Sequence, residues 1–279
     1  MSDVLLRVEE LRVCYRAGRR RMEAVRGIAF EARRGRCLGV VGESGSGKST
    51  MARAMLGLED DVGGRVEFDG KDVLKMGSAE MRAFRRRAQM VFQDPMGSLN
   101  PRMRAGAALE EVMRVHGIAA TKAEATRAAG EWLETVGLDG AYANRFPHEL
   151  SGGQRQRVNL ARSLCVGAEF LVADEPVSAL DVSVQAQILN LLKALQERRG
   201  ITWMLIGHDL AVMRHMADEI VVMKDGEIVE RGLPREVLGS PKHGYTRELL
   251  ESAPDVERAL ARRGLAGQFG IDATRAAGA

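Results

Sequence analysis

The chain has 279 residues, 45% hydrophobic and 28% charged, which is enough apolar content for one large domain or two modest ones and too much for a disordered chain. Lys and Arg number 41 against 38 Asp and Glu, a formal net charge of +3, so charge gives no reason to expect nucleic acid or an anionic bilayer as the main partner. Three scattered cysteines without a C-x-x-C pair suggest neither a disulfide framework nor a zinc knuckle, and no apolar run nears the ~20 residues of a spanning helix, so a reducing compartment and a peripheral membrane role are expected.

The opening residues carry no signal core and read as β-structure. Leu6 and Val8, then Leu11 and Val13, alternate with charged neighbours, and Ile28, Phe30 and Ala32 repeat the period of two before an Arg34-Gly35 turn, which predicts a small antiparallel N-terminal sheet. Residues 37–41, Cys-Leu-Gly-Val-Val, form a short continuous apolar run that suits a strand buried on both faces, followed by a glycine-rich turn and a helix from Lys48. From Arg104 to Glu134 apolar residues recur at spacings of three and four, predicting a helical insertion. Residues 170–173 and 203–206 are buried-strand candidates separated by a helical stretch from Val184 to Leu195, the β-α alternation of a parallel sheet. Residues 220–223 and 226–229 flank a Lys224-Asp225-Gly226 turn and predict an edge hairpin. The basic triplets at 19–21 and 85–87 read as solvated faces, and 253–279, rich in Ala, Arg and Gly without sustained period, reads as a loosely held tail.

Three motifs carry chemistry. Gly42-Glu43-Ser44-Gly45-Ser46-Gly47-Lys48-Ser49, followed by Thr50, matches G-x-x-x-x-G-K-[ST] between a predicted strand and a predicted helix. Glycines let successive N–H groups turn inward around an anion, and the helix N-terminus adds its partial positive charge. Lys48 would reach the β- and γ-phosphates and Ser49 would hold Mg²⁺. By itself this loop fits a transporter ATPase, a GTPase, a kinase or a helicase. The run at 170–173 ends in Asp174-Glu175; because neighbouring strand residues face opposite ways, Asp174 is expected to hold Mg²⁺ and Glu175 to polarise the attacking water. Leu150-Ser151-Gly152-Gly153-Gln154 precedes a helical run expected from Arg155, so Ser151 and the glycines would cap a second phosphate-binding helix start.

With Gln93, Ser178-Ala179-Leu180-Asp181 and His208, this ordered set resembles the nucleotide-binding subunit of ATP-binding cassette (ABC) transporters over about residues 3–252. The resemblance implies an α/β P-loop NTPase cassette: a RecA-like parallel-sheet core, an N-terminal antiparallel β subdomain and a helical subdomain inserted at about 96–160. It implies ATP and Mg²⁺ as ligands, and a head-to-tail pair in which each ATP lies between the phosphate loop of one chain and the Ser151-Gly152-Gly153-Gln154 turn of an identical or sister ATPase. In that arrangement Gln93 touches Mg²⁺ and the lytic water, His208 the γ-phosphate, Asp181 the dimer contact, and Tyr15 the adenine. The stretch from Val91 to Arg102 is similar to that of dipeptide, oligopeptide and nickel importer ATPases, as is Pro241-Lys242-His243-Gly244-Tyr245-Thr246, with Gly244 where proline is usual and Gly207 where serine or threonine often precedes the histidine. The resemblance further implies a peripheral subunit at the cytoplasmic face of the cell membrane, energising integral membrane permease subunits that a solute-binding protein serves, with peptides or nickel and other small solutes as cargo. An exporter ATPase and a soluble, non-transport cassette protein are the competing readings; the latter usually carries two cassettes or long insertions.

Overall fold

A computed structural model describes residues 3–17, 20–92, 97–178 and 180–252. Gln93, Ala179 and the tail from 253 onward, named above, lie outside the described residues.

Two long strands, β1 (Val4–Ala17) and β2 (Arg20–Arg33), pair antiparallel at the start. In β1 the buried alternation changes phase, Leu6 and Val8 giving way to Leu11 and Val13, with Leu5 and Cys14 buried at its ends as well. A break in register between Val8 and Leu11, with Glu10 at φ 49°, accounts for the change: one extra residue flips the side-chain phase, so both halves of the strand present apolar residues to one core.

The chain continues through β3 (Cys37–Val41), α1 (Lys48–Met55), β4 (Val62–Phe68), β5 (Lys71–Asp72), α2 (Ser78–Arg87) and β6 (Ala88–Val91). Helices α3 (Ala105–Val115) and α4 (Lys122–Thr135) come next, in the stretch whose periodicity is helical, followed by α5 (Gly152–Leu164). The last part alternates β7 (Phe170–Asp174), α6 (Val182–Arg199), β8 (Thr202–Gly207) and α7 (Leu210–Met216), then gives β9 (Glu219–Lys224), β10 (Glu227–Gly232), α8 (Pro234–Val237) and α9 (Gly244–Ser252).

Two sheets result. One has the order β2-β1-β4-β5; the other has the order β10-β9-β3-β8-β7-β6, parallel except for the β9–β10 hairpin at its edge. That hairpin turns on Asp225 and Gly226, both at positive φ (49° and 83°), as a tight two-residue hairpin turn requires. Alternate residues of the larger sheet serve different cores. Leu38, Val40, Val172, Met204, Ile206, Val221 and Met223 face α1 and the N-terminal sheet. Cys37, Val41, Leu171, Ala173, Trp203, Leu205 and Val222 face the core shared with α3 to α7. Burial on both faces is why these strands read as unbroken apolar runs.

Several elements differ from expectation. No sequence signal pointed to β4, β5, α2 or β6. Helix α5 begins at Gly152, three residues before Arg155, because Ser151 is its N-cap. The triplet at 85–87 is not simply solvated: Arg87 pairs with Asp69 at 2.7 Å and Glu169 at 2.8 Å and lies over the Phe68 ring.

Candidate active site

The larger sheet brings the C-terminal ends of β3, β7 and β8 side by side, where a parallel sheet places its ligands. From β3 the chain turns through Gly42 to Gly47 into α1. Neither end of this turn has room for a side chain: a Cβ on Gly42 would sit 2.2 Å from the Met223 carbonyl oxygen, and one on Gly47 2.5 Å from that of Ala24. Lys48, the first residue of α1, is buried, and its ammonium folds back into the loop, donating to the carbonyls of Gly42 (2.8 Å) and Glu43 (2.7 Å) and lying 3.3 Å from the Ser46 hydroxyl. Burial pushes the Lys48 ammonium below the usual lysine value, against the pull of Glu175, Asp174 and Glu43.

Asp174 closes β7 and meets the Ser49 hydroxyl; burial raises its carboxyl above the ordinary range, while Ser49 and Lys48 act to lower it. Glu175 is outside the strand. Its N–H donates to the Ile206 carbonyl at 2.8 Å and its backbone is left-handed, φ 46°, so a turn, and not the alternation of a continuous strand, sets where Glu175 lies beside Asp174. Just beyond β8, His208 Nδ1 lies 3.0 Å from Glu175 Oε1. A cavity of about 110 Å³ adjoins the pair, lined in part by Ser178, Gln185, Asp209 and Val212.

Tyr15, on β1, reaches the same loop. Its hydroxyl donates to Glu59 at 2.8 Å and lies 3.3 Å from the Thr50 hydroxyl, while Arg53 binds both Glu59 (2.7 Å) and the phenolic oxygen (3.4 Å). The structure therefore gathers Tyr15, Gly42 to Thr50, Asp174, Glu175 and His208 in one region; Gln93, expected beside them, lies outside the described residues.

Ser151, Gly152, Gly153 and Gln154 form a second unit. Ser151 Oγ accepts the Gln154 N–H (3.3 Å), Gln154 Oε1 accepts the Ser151 N–H (2.9 Å), and the Gln154 amide donates to the Tyr142 hydroxyl (3.0 Å). This reciprocal capping box fixes the start of α5. It abuts the start of α6, where Asp181 caps the helix by accepting from Val184 N (3.0 Å) and the Ser183 hydroxyl (2.7 Å). A Cβ on Gly153 would come 2.4 Å from Val184 Cγ1.

Sequence reasoning missed several contributors. Glu59 and Arg53, which hold Tyr15, show no pattern along the chain. Tyr142, which holds Gln154, lies in a short 3₁₀ turn. Tyr245 stands in the segment 241–246, whose sequence carries no sign of a contact with the phosphate loop.

A hydroxyl and a half-buried carboxylate oxygen, Ser49 and Asp174, form a hard-oxygen donor pair that fits Mg²⁺; the desolvation that raises the Asp174 carboxyl is the cost a cation would relieve.

A family model described as "ABC transporter" matches residues 25–178. The chain belongs to the ABC transporter family. As a member of that family it is an ATPase. It is similar to the oligopeptide transport ATP-binding protein OppF of Bacillus subtilis, 43% identical over 268 residues covering 94% of this chain and 88% of that one. It is also similar to the dipeptide transport ATP-binding protein DppF of Lactococcus lactis subsp. cremoris, 45% identical over 83% of this chain and 75% of that one. Among solved structures, the cassette overlays a dimeric ATP-binding cassette in a post-hydrolysis state bound to ADP and phosphate, with TM-score 0.73, 31% identity, and 82% and 99% of the two chains covered. Another likeness is CbiO1 from Clostridium perfringens, part of an ABC transporter complex, with TM-score 0.75, 27% identity, and 93% and 99% covered. Among the described residues no helix is long and apolar enough to cross a membrane.

Proposed function

We propose that this cassette, spanning residues 3–252 with a helical subdomain at about 96–160, hydrolyses ATP to energise a membrane permease that imports oligopeptides or dipeptides. The observation that carries the catalytic part is the meeting of Lys48, Ser49, Asp174, Glu175 and His208 at three adjacent strand ends. The names of the relatives support the peptide cargo.

In this reading the loop N–H groups and Lys48 hold the β- and γ-phosphates, and Tyr15, braced by Glu59, stacks on the adenine. Ser49 and Asp174 would hold Mg²⁺, together with Gln93; bound there, the ion offsets charge on the phosphates. Glu175 orients and polarises the water, and His208, 3.0 Å from it, contacts the γ-phosphate. Ser151 to Gln154 serve the ATP of a second ATPase subunit paired head to tail, with Asp181 at the contact. The assembly sits at the cytoplasmic face of the membrane, and the imported solute does not touch this subunit.

Glu175→Gln tests the assignment. Bound ATP should be retained while turnover falls by at least about a hundredfold, the usual loss when one preorganised group is removed from the reacting centre. Unchanged turnover removes the catalytic role. Co-purification of the variant with integral membrane subunits, and stimulation of the native complex by a peptide-loaded binding protein, test the transport part; stimulation by nickel chelates alone would reassign the cargo.

A further inference from the structure

The phosphate loop is held from outside by the C-terminal part of the chain, beyond the residues 25–178 that the family model matches. Tyr245, on α9, accepts the Glu43 N–H on its phenolic oxygen at 2.9 Å across 202 residues of sequence. The carbonyl of that same Gly42–Glu43 peptide accepts the Lys48 ammonium at 2.8 Å. A trans peptide points its N–H and its carbonyl in opposite directions, so one rigid plane is gripped at both ends, by Tyr245 outside the loop and by Lys48 inside it.

Tyr245 is itself well fixed. Only 4% of it is exposed, the Lys224 ammonium lies 4.6 Å over its ring, and its N–H donates to His243 Nδ1 at 3.2 Å. Glu230 on β10 receives the N–H groups of Lys242 and His243 at 2.8 and 3.1 Å, tying the approach to α9 to the edge hairpin. The turn of that hairpin touches the loop too, Gly226 N donating to Ser46 O at 3.0 Å.

We propose that Tyr245 is a positioning residue for nucleotide binding: its hydroxyl fixes the Gly42–Glu43 peptide and thereby the direction of the Lys48 ammonium. The proposal rests on the reading of Gly42 to Thr50 as the ATP site. Without the hydroxyl the Glu43 N–H loses its acceptor and the plane can rotate, releasing Lys48 from one of its two carbonyls. The consequence falls on phosphate affinity before it falls on the fold, because the ring and its packing remain.

The test is a double-mutant cycle on the full chain, read with trinitrophenyl-ATP binding, KM for ATP and thermal melting. Tyr245→Phe should weaken analogue binding and raise KM on the order of fivefold, the usual consequence of removing the acceptor of a part-buried donor, with a smaller change in kcat. Glu43→Pro removes the donor itself, since proline carries no N–H; in that background Tyr245→Phe should leave affinity unmoved. Native affinity and KM in Tyr245→Phe overturn the proposal, as does an equal loss in both backgrounds, which would mark Tyr245 as a general packing residue. If the unaltered chain binds no ATP analogue, the ATP-site reading falls first and this proposal with it.

Discussion

At the scale of single residues, the site keeps a buried cation and a half-buried anion in tension. Asp174 is raised chiefly by burial and Lys48 is lowered chiefly by burial, each only partly relieved by the other. A carboxyl whose folded-state pKa lies above its unfolded value contributes stability fully below the unfolded value and loses it as pH rises through the folded one. At neutral pH the ionised Asp174 is therefore a burden on the nucleotide-free protein. Asp174→Asn should raise the melting temperature of that state at pH 7, and the gain should shrink as pH falls through the raised carboxyl value. If Asp174 holds Mg²⁺ as proposed, ATP with Mg²⁺ should raise the melting temperature of the native chain more than that of this variant. A melting temperature lowered at pH 7 would show that Asp174 is held by its partners more than it is penalised by burial. These residues stand out in sequence because the loop matches G-x-x-x-x-G-K-[ST] between a strand and a helix and the paired acids end an apolar run. Their setting does not: Glu175 leaves the strand in a left-handed backbone, its N–H bonded to Ile206 on a neighbouring strand, and the Tyr15 hydroxyl bonds Glu59, 44 residues away.

At the scale of elements, the strands of the larger sheet were legible where both faces are buried, as in β3, β7, β8 and β9. Strand β4 was not, since its Val-Gly-Gly-Arg run leaves Gly63, Gly64 and Arg65 exposed and only Val66 and Phe68 buried, too short a stretch for a period of two. Helix α2 buries Phe84 alone and so shows no stripe. The start of α5 was partly legible, and its packing gives a sharp test. Gly153 lies against Val184 of α6, with 2.4 Å between a built Cβ and Cγ1. An alanine there gains about 1 kcal/mol in helix propensity over glycine, yet forcing a methyl into a filled space costs about 1–3 kcal/mol. A β-branched valine in a helix has little rotamer freedom with which to yield. Gly153→Ala should therefore lower the melting temperature, and adding Val184→Ala should reverse the sign, making Gly153→Ala stabilising in that background. Additive effects of the two changes would show that the helix starts are not in tight contact.

At the scale of the whole molecule, the two helix starts proposed to meet phosphate have different relations to their own chain. The start of α1 is enclosed: Lys48 is buried, the carbonyls of Gly42 and Glu43 receive it, and Asp174 and Glu175 stand opposite. The start of α5 is complete without a ligand in the reciprocal bonds of Ser151 and Gln154, yet Ser151 is exposed. An exposed, well-ordered helix N-terminus presents N–H groups and partial positive charge outward, which is what a second chain's terminal phosphate would require. Two such surfaces meeting head to tail close on themselves only if each supplies one loop and one capped start. Glu175→Gln saturated with ATP should thus double in mass by light scattering, because the nucleotide is not consumed and remains as the bridge. Adding Ser151→Arg places a bulky side chain on the exposed cap and leaves the phosphate loop of the same chain untouched. That double variant should still bind ATP through its own loop, without the added affinity that pairing confers, and stay single. If Ser151→Arg pairs as readily as its parent, the capped start of α5 is not the bridging surface. If Glu175→Gln itself remains single at saturating ATP, self-pairing is excluded and the partner must be a sister ATPase.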